Sequence, residues 1–307
     1  MIDILLATYN GEKYLKQQLD SILAQNVDCW HLYIKDDCSV DSTLSIAKAY
    51  EARYPDKITV IDSACATGSA KANFLSLLKY SKSQYIMFCD QDDVWLPDKI
   101  KLALETMRQN ESDTSLPVLV HSDLTIVDER LSQIHASFFK FQGLNSKAIA
   151  LNRLLVQNNI TGCTVMINRS LLDLAADADT DKILMHDWWF GLVASAFGKI
   201  AFVDKPTILY RQHASNQLGA VNNRSISGAL KIVLKRLNTK RRVSITFSQA
   251  QHFFDIYAPR LDNESRELLE RFLSIPKKPK LKRIFCLLRH NFLKQNLLTA
   301  IGQLIFC

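Results

Sequence analysis

Three polar clusters in this 307-residue chain combine carboxylates at spacings that suit phosphate and hydroxyl chemistry. Asp90-Gln91-Asp92-Asp93 follows the apolar run Tyr85–Cys89. Carboxylates at i and i+2, released from a buried strand into a crevice, can hold a hard divalent cation such as Mg²⁺ or Mn²⁺ through oxygen ligands. The same stretch also suits a solvated turn that leads through Pro97 into a helix. Asp36-Asp37-Cys38-Ser39-Val40-Asp41 leaves two readings as well. It is an Asx turn with a helix cap at Asp41 or Ser42, or its first carboxylates accept the imide N–H of a uracil or thymine. Asp187 stands before Trp188-Trp189 and an apolar stretch to Phe197. A carboxylate there serves as a general base toward a hydroxyl, as the N-cap of a helix over 188–197, or as both.

The elements that must position these clusters alternate strand and helix. Apolar runs predict strands at Ile2–Ala7, Trp30–Lys35, Ile58–Ile61 and Tyr85–Cys89. Between and after them, helical spacing places Leu15, Leu19 and Ile22, then Leu44 and Ala47, then Phe74 and Leu77, then Ile100, Leu104 and Met107 on single faces. Such alternation implies right-handed crossovers and an open, mostly parallel sheet flanked by helices, an α/β fold. Ligands of these sheets bind beyond the carboxyl ends of the strands. Thr8-Tyr9-Asn10, Asp36-Asp37 and the 90–93 carboxylates all fall at such ends, so one crevice gathers them. Further strands are expected at Val118–His121, ending at Ser122-Asp123, at Thr161–Ile167, at Ile200–Val203 and at Thr207–Tyr210. His121 and Asp123 then either touch an acceptor or serve the fold, and Lys71 and Asn73 read as solvated residues at a helix start.

Composition narrows the class. Apolar residues make up 48% and charged residues 22%, with Gly 9 and Pro 7, which excludes collagen-like, low-complexity and disordered chains. No run of apolar residues is long enough to span a bilayer. Seven scattered cysteines without a CxxC fit reduced thiols and a cytoplasmic setting. The net charge of +7 divides unevenly: residues 1–204 carry −7 and residues 205–307 carry +14. That partition suggests an α/β domain over 1–215 and a helical basic region over 216–307. Its first basic run interleaves Ile232, Val233 and Leu237, and its second interleaves Ile284, Phe285, Leu288, Phe292, Leu297 and Leu298. No nucleic-acid motif or aromatic platform accompanies the charge, which argues against nucleic acid. An anionic membrane surface fits better, with a solvated basic face packed on the α/β domain as the alternative.

The run Leu5-Leu6-Ala7-Thr8-Tyr9-Asn10-Gly11, with the Asp36–Asp41 and Asp90-Gln91-Asp92-Asp93-Val94-Trp95 clusters, resembles family 2 glycosyltransferases over roughly residues 1–215. These are inverting enzymes with a nucleotide-sugar-binding fold of the GT-A type. His186-Asp187-Trp188-Trp189 and Tyr210-Arg211-Gln212-His213 are similar to a bacterial rhamnosyltransferase-like branch. The resemblance implies that Thr8, Tyr9, Asn10, Asp36, Asp37, Asp90 and Gln91 bind the donor, and that Asp90, Asp92 and His213 hold Mg²⁺ or Mn²⁺. Asp187 takes the position of the catalytic base, although His186 stands where many relatives have Glu. Trp188 and Asp123 are expected at the acceptor. The implied activity is transfer of L-rhamnose from dTDP-rhamnose to a lipid-linked oligosaccharide of a cell-surface polysaccharide, by a peripheral enzyme at the inner face of the plasma membrane. Transfer of another hexose from a UDP donor, or nucleotide-sugar binding by a scaffold without catalysis, are the alternatives.

Overall fold

The computed structural model describes residues 1–62, 66–213 and 245–306. Nine strands form one sheet: β1 (Ile2–Thr8), β2 (Trp30–Asp36), β3 (Ile58–Ile61), β4 (Tyr85–Cys89), β5 (Val94–Trp95), β6 (Val118–Val127), β7 (Gln133–His135), β8 (Met166–Asn168) and β9 (Lys199–Arg211). Their order is β3-β2-β1-β4-β8-β6-β9-β5, with β7 on β6. The expected parallel pairing holds from β3 through β4 and between β6 and β9, while β8, β5 and β7 run antiparallel to their neighbours. The helices on this sheet include α1 (Leu15–Leu23), α2 (Thr43–Arg53), α3 (Ala70–Leu77) and α4 (Lys99–Asn110). Further helices among the described residues are α5 (Phe138–Gln142), α6 (Leu151–Leu154), α7 (Arg169–Ala175), α8 (His186–Phe197), α9 (described over 245–257), α10 (Asn263–Ser274), α11 (Lys280–Arg289) and α12 (Leu297–Phe306). Among the described residues, no helix is long and apolar enough to cross a membrane.

The described residues form two compact units, 1–138 with 160–174 and 199–213, and 139–159 with 175–198 and 245–306. The first contains the whole sheet. The charge pattern predicts a single boundary at 215; by contact, the segments 139–159 and 175–198 group with the C-terminal helices. The reason lies in α8, whose Trp189 packs its ring on His252, Phe253 and Tyr257 of α9 at centroid distances of 5.4, 5.6 and 6.0 Å. Phe272 of α10 continues this core toward Phe247 and Phe292, at 4.6 and 5.0 Å. Truncating such a buried aromatic costs about 3–5 kcal/mol. The first basic run, with Ile232, Val233 and Leu237, lies outside the described residues.

Three expected elements differ. The strand expected at Thr161–Ile167 begins as a 3₁₀ turn at Gly162–Thr164 and is extended only over Met166–Asn168. β6 continues through Ser122-Asp123 to Val127, and the two short strands after residue 199 are one strand, β9. Ser122 pairs with Val203 and Asp123 with Pro206, so Asp204 and Lys205 bulge out of the ladder. The proline thus sits at an irregularity, where its missing N–H costs no ladder bond.

Candidate functional site

Register carries the first site residues together. Thr8 ends β1 opposite Asp36 at the end of β2, and its hydroxyl donates to Asp36 Oδ1 at 2.9 Å. The Ser39 hydroxyl and backbone N–H also donate to this buried carboxylate, at 2.6 and 2.7 Å. Cys38 between them adopts φ +62°, a left-handed conformation held by these bonds. Asp37 accepts from the backbone N–H groups of Thr67 and Gly68, at 2.5 and 3.0 Å, fixing the loop that leads into α3. Asp41 accepts the Thr43 N–H at 3.0 Å, as the Asx-turn reading requires. Asn73 is buried, contrary to the solvated reading: its amide donates to the Lys35 carbonyl at 3.0 Å and accepts from Lys35 Nζ at 3.2 Å. Burial holds the Lys35 ammonium below its ordinary pKa.

Gln91 joins this loop to the acidic motif. Its Oε1 accepts from the Tyr9 N–H and its Nε2 donates to the Tyr9 carbonyl, both at 2.9 Å. The Tyr9 ring stays exposed, and Asn10 at φ +46° accepts the Val40 N–H at 3.0 Å. Gly11 makes room for the arrangement, since a Cβ there would lie 2.2 Å from Gln91 Oε1. Gly11→Ala is therefore expected to expel the Gln91 amide. Two hydrogen bonds worth about 1 kcal/mol each are lost, and the KM for the nucleotide-sugar donor that the resemblance implies should rise about tenfold while the fold persists. Gln91→Ala should match it, and the double variant should add little, because both act on one contact. Strictly additive effects in steady-state kinetics would refute the coupling.

The acidic motif is placed by β4 and β5. Pairing of Val94 with Leu209 brings Asp92-Asp93 beside the end of β9, which closes at Arg211 with His213 two residues on. Asp93 is wholly buried; its Oδ1 accepts the Arg211 N–H at 3.1 Å and its carboxyl lies beside the Cys163 sulfur. Burial, then the charges of Asp92 and Asp90, push its carboxyl well above the ordinary range. Oxygens of Asp90 and Asp93 and the Cys163 sulfur lie within 4.8 Å of one another. Burial and the same carboxylates raise the Cys163 thiol, so it stays protonated. Beneath them, burial lowers Lys99 to about 8, and its ammonium lies 4.6 Å from the Trp95 ring centroid. Asp92 Oδ2 lies 2.8 Å from His213 Nε2, whose ring packs on Tyr14 at 4.9 Å.

This donor set fits a hard cation. It offers the carboxylate oxygens of Asp90 and Asp92, both partly open to solvent, and one imidazole on the latter. The protonated thiol does not add a soft ligand. Because folding raises the Asp93 pKa, the native state binds this proton more tightly than the unfolded chain, and stability falls as pH rises above 3.8. Asp93→Asn cannot ionise and should show a flatter dependence of Tm on pH between about 4 and 8 in chelator-treated buffer. Parallel curves for the two proteins would exclude a neutral Asp93.

Arg211 lies in the Tyr210–His213 run but has no local sequence signal for a role of its own. It is buried, donating to the Asp92 carbonyl at 2.8 Å, the Glu129 carbonyl at 2.6 Å and Gln17 Oε1 at 2.6 Å. Asp123, expected at an acceptor, is drawn into the fold. Its carboxylate accepts from the backbone of Leu124 and Phe138 and from the Ser137 hydroxyl, at 2.8, 3.0 and 2.5 Å. His121 is fully buried, and burial lowers its pKa to about 3.

Asp187 and Trp188 belong to the second unit. The N-cap of α8 is Met185, not Asp187, so the capping reading is corrected. Asp187 sits in the first turn, buried, with Oδ1 accepting the Trp188 N–H at 2.6 Å. A carboxylate at that position is favoured by the positive end of the helix. Trp188 is half-buried, its indole N–H donating to the Leu154 carbonyl at 2.6 Å, whereas Trp189 is core. Burial keeps the neighbouring His186 neutral, with a pKa near 3.

Comparison with known proteins agrees with this geometry. Residues 3–174 match the family model described as glycosyl transferase family 2. The dTDP-rhamnosyl transferase RfbG of Shigella flexneri is 33% identical over 229 residues, covering 70% of this chain and 74% of that protein. The glucosyltransferase WfgD of Escherichia coli, which uses UDP-Glc and a GlcNAc-diphosphoundecaprenol, is 26% identical over 56% of this chain and 62% of its own. Among solved structures, residues 1–349 of S. aureus TarS with UDP-GlcNAc superpose with a TM-score of 0.54 at 17% identity, over 93% of this chain and 83% of that one. A mannosyltransferase of Pyrobaculum calidifontis, holding GDP-Man and Mn²⁺, does so at 0.54 and 15%, over 94% of this chain and 72% of its own. These likenesses show a GT-A type fold. With the family model spanning more than half its length and a rhamnosyltransferase above 30% identity, the chain belongs to glycosyl transferase family 2.

Proposed function

We propose that this glycosyltransferase moves L-rhamnose from dTDP-rhamnose, with inversion, to a hydroxyl of a growing, lipid-linked cell-surface polysaccharide at the inner face of the plasma membrane. The observation that carries the reading is the meeting of Thr8, Asp36, Gln91 and Asp92–His213 at the carboxyl ends of adjacent strands. The name of the Shigella relative supports the donor, and that of the Escherichia relative supports a lipid-linked acceptor.

Thr8, Tyr9 and Asn10, with Asp36, Asp37 and Gln91, would bind the nucleotide, the exposed Tyr9 ring offering a face to the base. Asp90 and Asp92, with His213 orienting the latter, would hold Mg²⁺ or Mn²⁺, which when bound offsets the charge of the departing diphosphate as a Lewis acid. Asp187 takes the proton of the acceptor hydroxyl as that oxygen attacks the anomeric carbon from the face opposite the diphosphate. One displacement with one base inverts the centre and needs no covalent intermediate. Trp188 offers a ring to a sugar of the acceptor.

The test is a thermal-shift and turnover panel of dTDP-rhamnose, UDP-glucose and UDP-galactose, each with Mg²⁺ or Mn²⁺. At about 100 times its Kd, the true donor stabilises by about 2.7 kcal/mol. A shift and turnover with a UDP-hexose alone would establish the second reading, which the UDP-glucose-dependent Escherichia relative favours. Shifts without turnover for any donor would leave a nucleotide-sugar-binding scaffold.

A further inference from the structure

The last two helices are built the wrong way round for a surface that faces only water. Leu281, Phe285 and Leu288 repeat along one face of α11, and Leu297, Ile301 and Ile305 along one face of α12; all six are between 45% and 82% exposed. They make up six of the eleven large apolar side chains exposed among the described residues. α12 carries no charge, and its one amide points inward: Gln303 is buried, donating to the Phe292 carbonyl at 2.8 Å and accepting the Lys294 N–H at 2.9 Å. A solvated helix would bury the isoleucines and expose the glutamine. Exposed cations flank the apolar stripe of α11, at Lys277, Lys280, Lys282 and Arg289, and no acid occurs after Glu270.

We propose that α11 and α12 dock this protein on an anionic phospholipid bilayer, the six apolar side chains entering the headgroup boundary and the cations meeting lipid phosphate. Apolar side chains on one face with Lys and Arg beside them are what an interfacial helix needs, and each cation near an anionic leaflet adds to the attraction. A second copy is the poorer occupant, because pairing this face would set two acid-free, basic surfaces against each other. The inference gives a residue-level basis to the membrane location proposed above, and its binding needs neither donor nor acceptor.

The experiment uses the full chain with vesicles of phosphatidylglycerol and phosphatidylcholine in equal parts, and with vesicles of phosphatidylcholine alone. Wild type should co-sediment with the first and bind the second at least about tenfold more weakly. Leu281→Ser/Phe285→Ser/Leu288→Ser should reduce binding at least about a hundredfold, with an unchanged melting curve, since none of the three is core. The indole introduced by Phe285→Trp should be quenched by brominated acyl chains. Equal binding of wild type and the triple variant, absent quenching, or a vesicle-free dimer that the triple variant abolishes would each overturn the proposal. Turnover on a water-soluble acceptor fragment separates the two readings. Transfer without vesicle binding defeats this one alone, and vesicle binding without transfer from any donor defeats the catalytic one alone.

Discussion

Asp187→Asn is expected to lower kcat about a thousandfold while leaving the donor KM within about twofold. A positioned base contributes about 10²–10⁴ to proton transfer from a weak nucleophile, and a single inverting displacement has no second carboxylate step to share the loss. The substitution is close to isosteric. Asn keeps an oxygen to accept the Trp188 N–H, so the first turn of α8 should form as before. Loss of one negative charge there costs about 0.3–1 kcal/mol through the helix dipole, a small fall in Tm. The measurement is single-turnover transfer with purified donor and acceptor, beside a melting curve. Turnover within a fewfold of wild type would remove Asp187 as the base. A comparable loss with a much raised donor KM would mean that the carboxylate serves binding instead.

The parts of this site that were legible in the sequence are those built from local signals. β1, β2, β3 and β4 are short apolar runs ended by polar clusters, and buried parallel strands have no other way to look. What escaped depends on partners far along the chain. Ser122 and Asp123 read as a strand end because they are polar. They remain inside β6 because Ser122 bonds to the Thr207 hydroxyl at 2.6 Å and Asp123 to Ser137 and Phe138. Asp204-Lys205-Pro206 looked like a break for the same reason, and a bulge carries it through β9. Asn73 looked solvated because its partner, Lys35, lies 38 residues away. Arg211 is the sharpest case: nothing beside it in sequence announces its acceptors, which belong to residues 17, 92, 93 and 129.

Arg211→Ala is expected to destabilise the protein by about 3–5 kcal/mol, because a buried, charged donor loses three hydrogen bonds worth about 1.5 kcal/mol each. Its plane also lies over the Tyr14 ring, 4.5 Å from the centroid, and that contact disappears with it. Stability alone would not distinguish this residue from any buried arginine, so the informative variant is Arg211→Lys. An ammonium satisfies one carbonyl as a point charge but not the fork formed by the Asp92 carbonyl, the Glu129 carbonyl and Gln17. The fold should survive with a smaller loss in urea denaturation. The Asp92 backbone, released from Nε, should let its carboxylate drift from His213, and Mn²⁺ affinity by calorimetry should fall at least about tenfold. Wild-type Mn²⁺ affinity in a folded Arg211→Lys protein would reduce Arg211 to a packing residue. A fall in metal affinity larger than the fall in stability would instead make this arginine the brace on which the acidic motif depends.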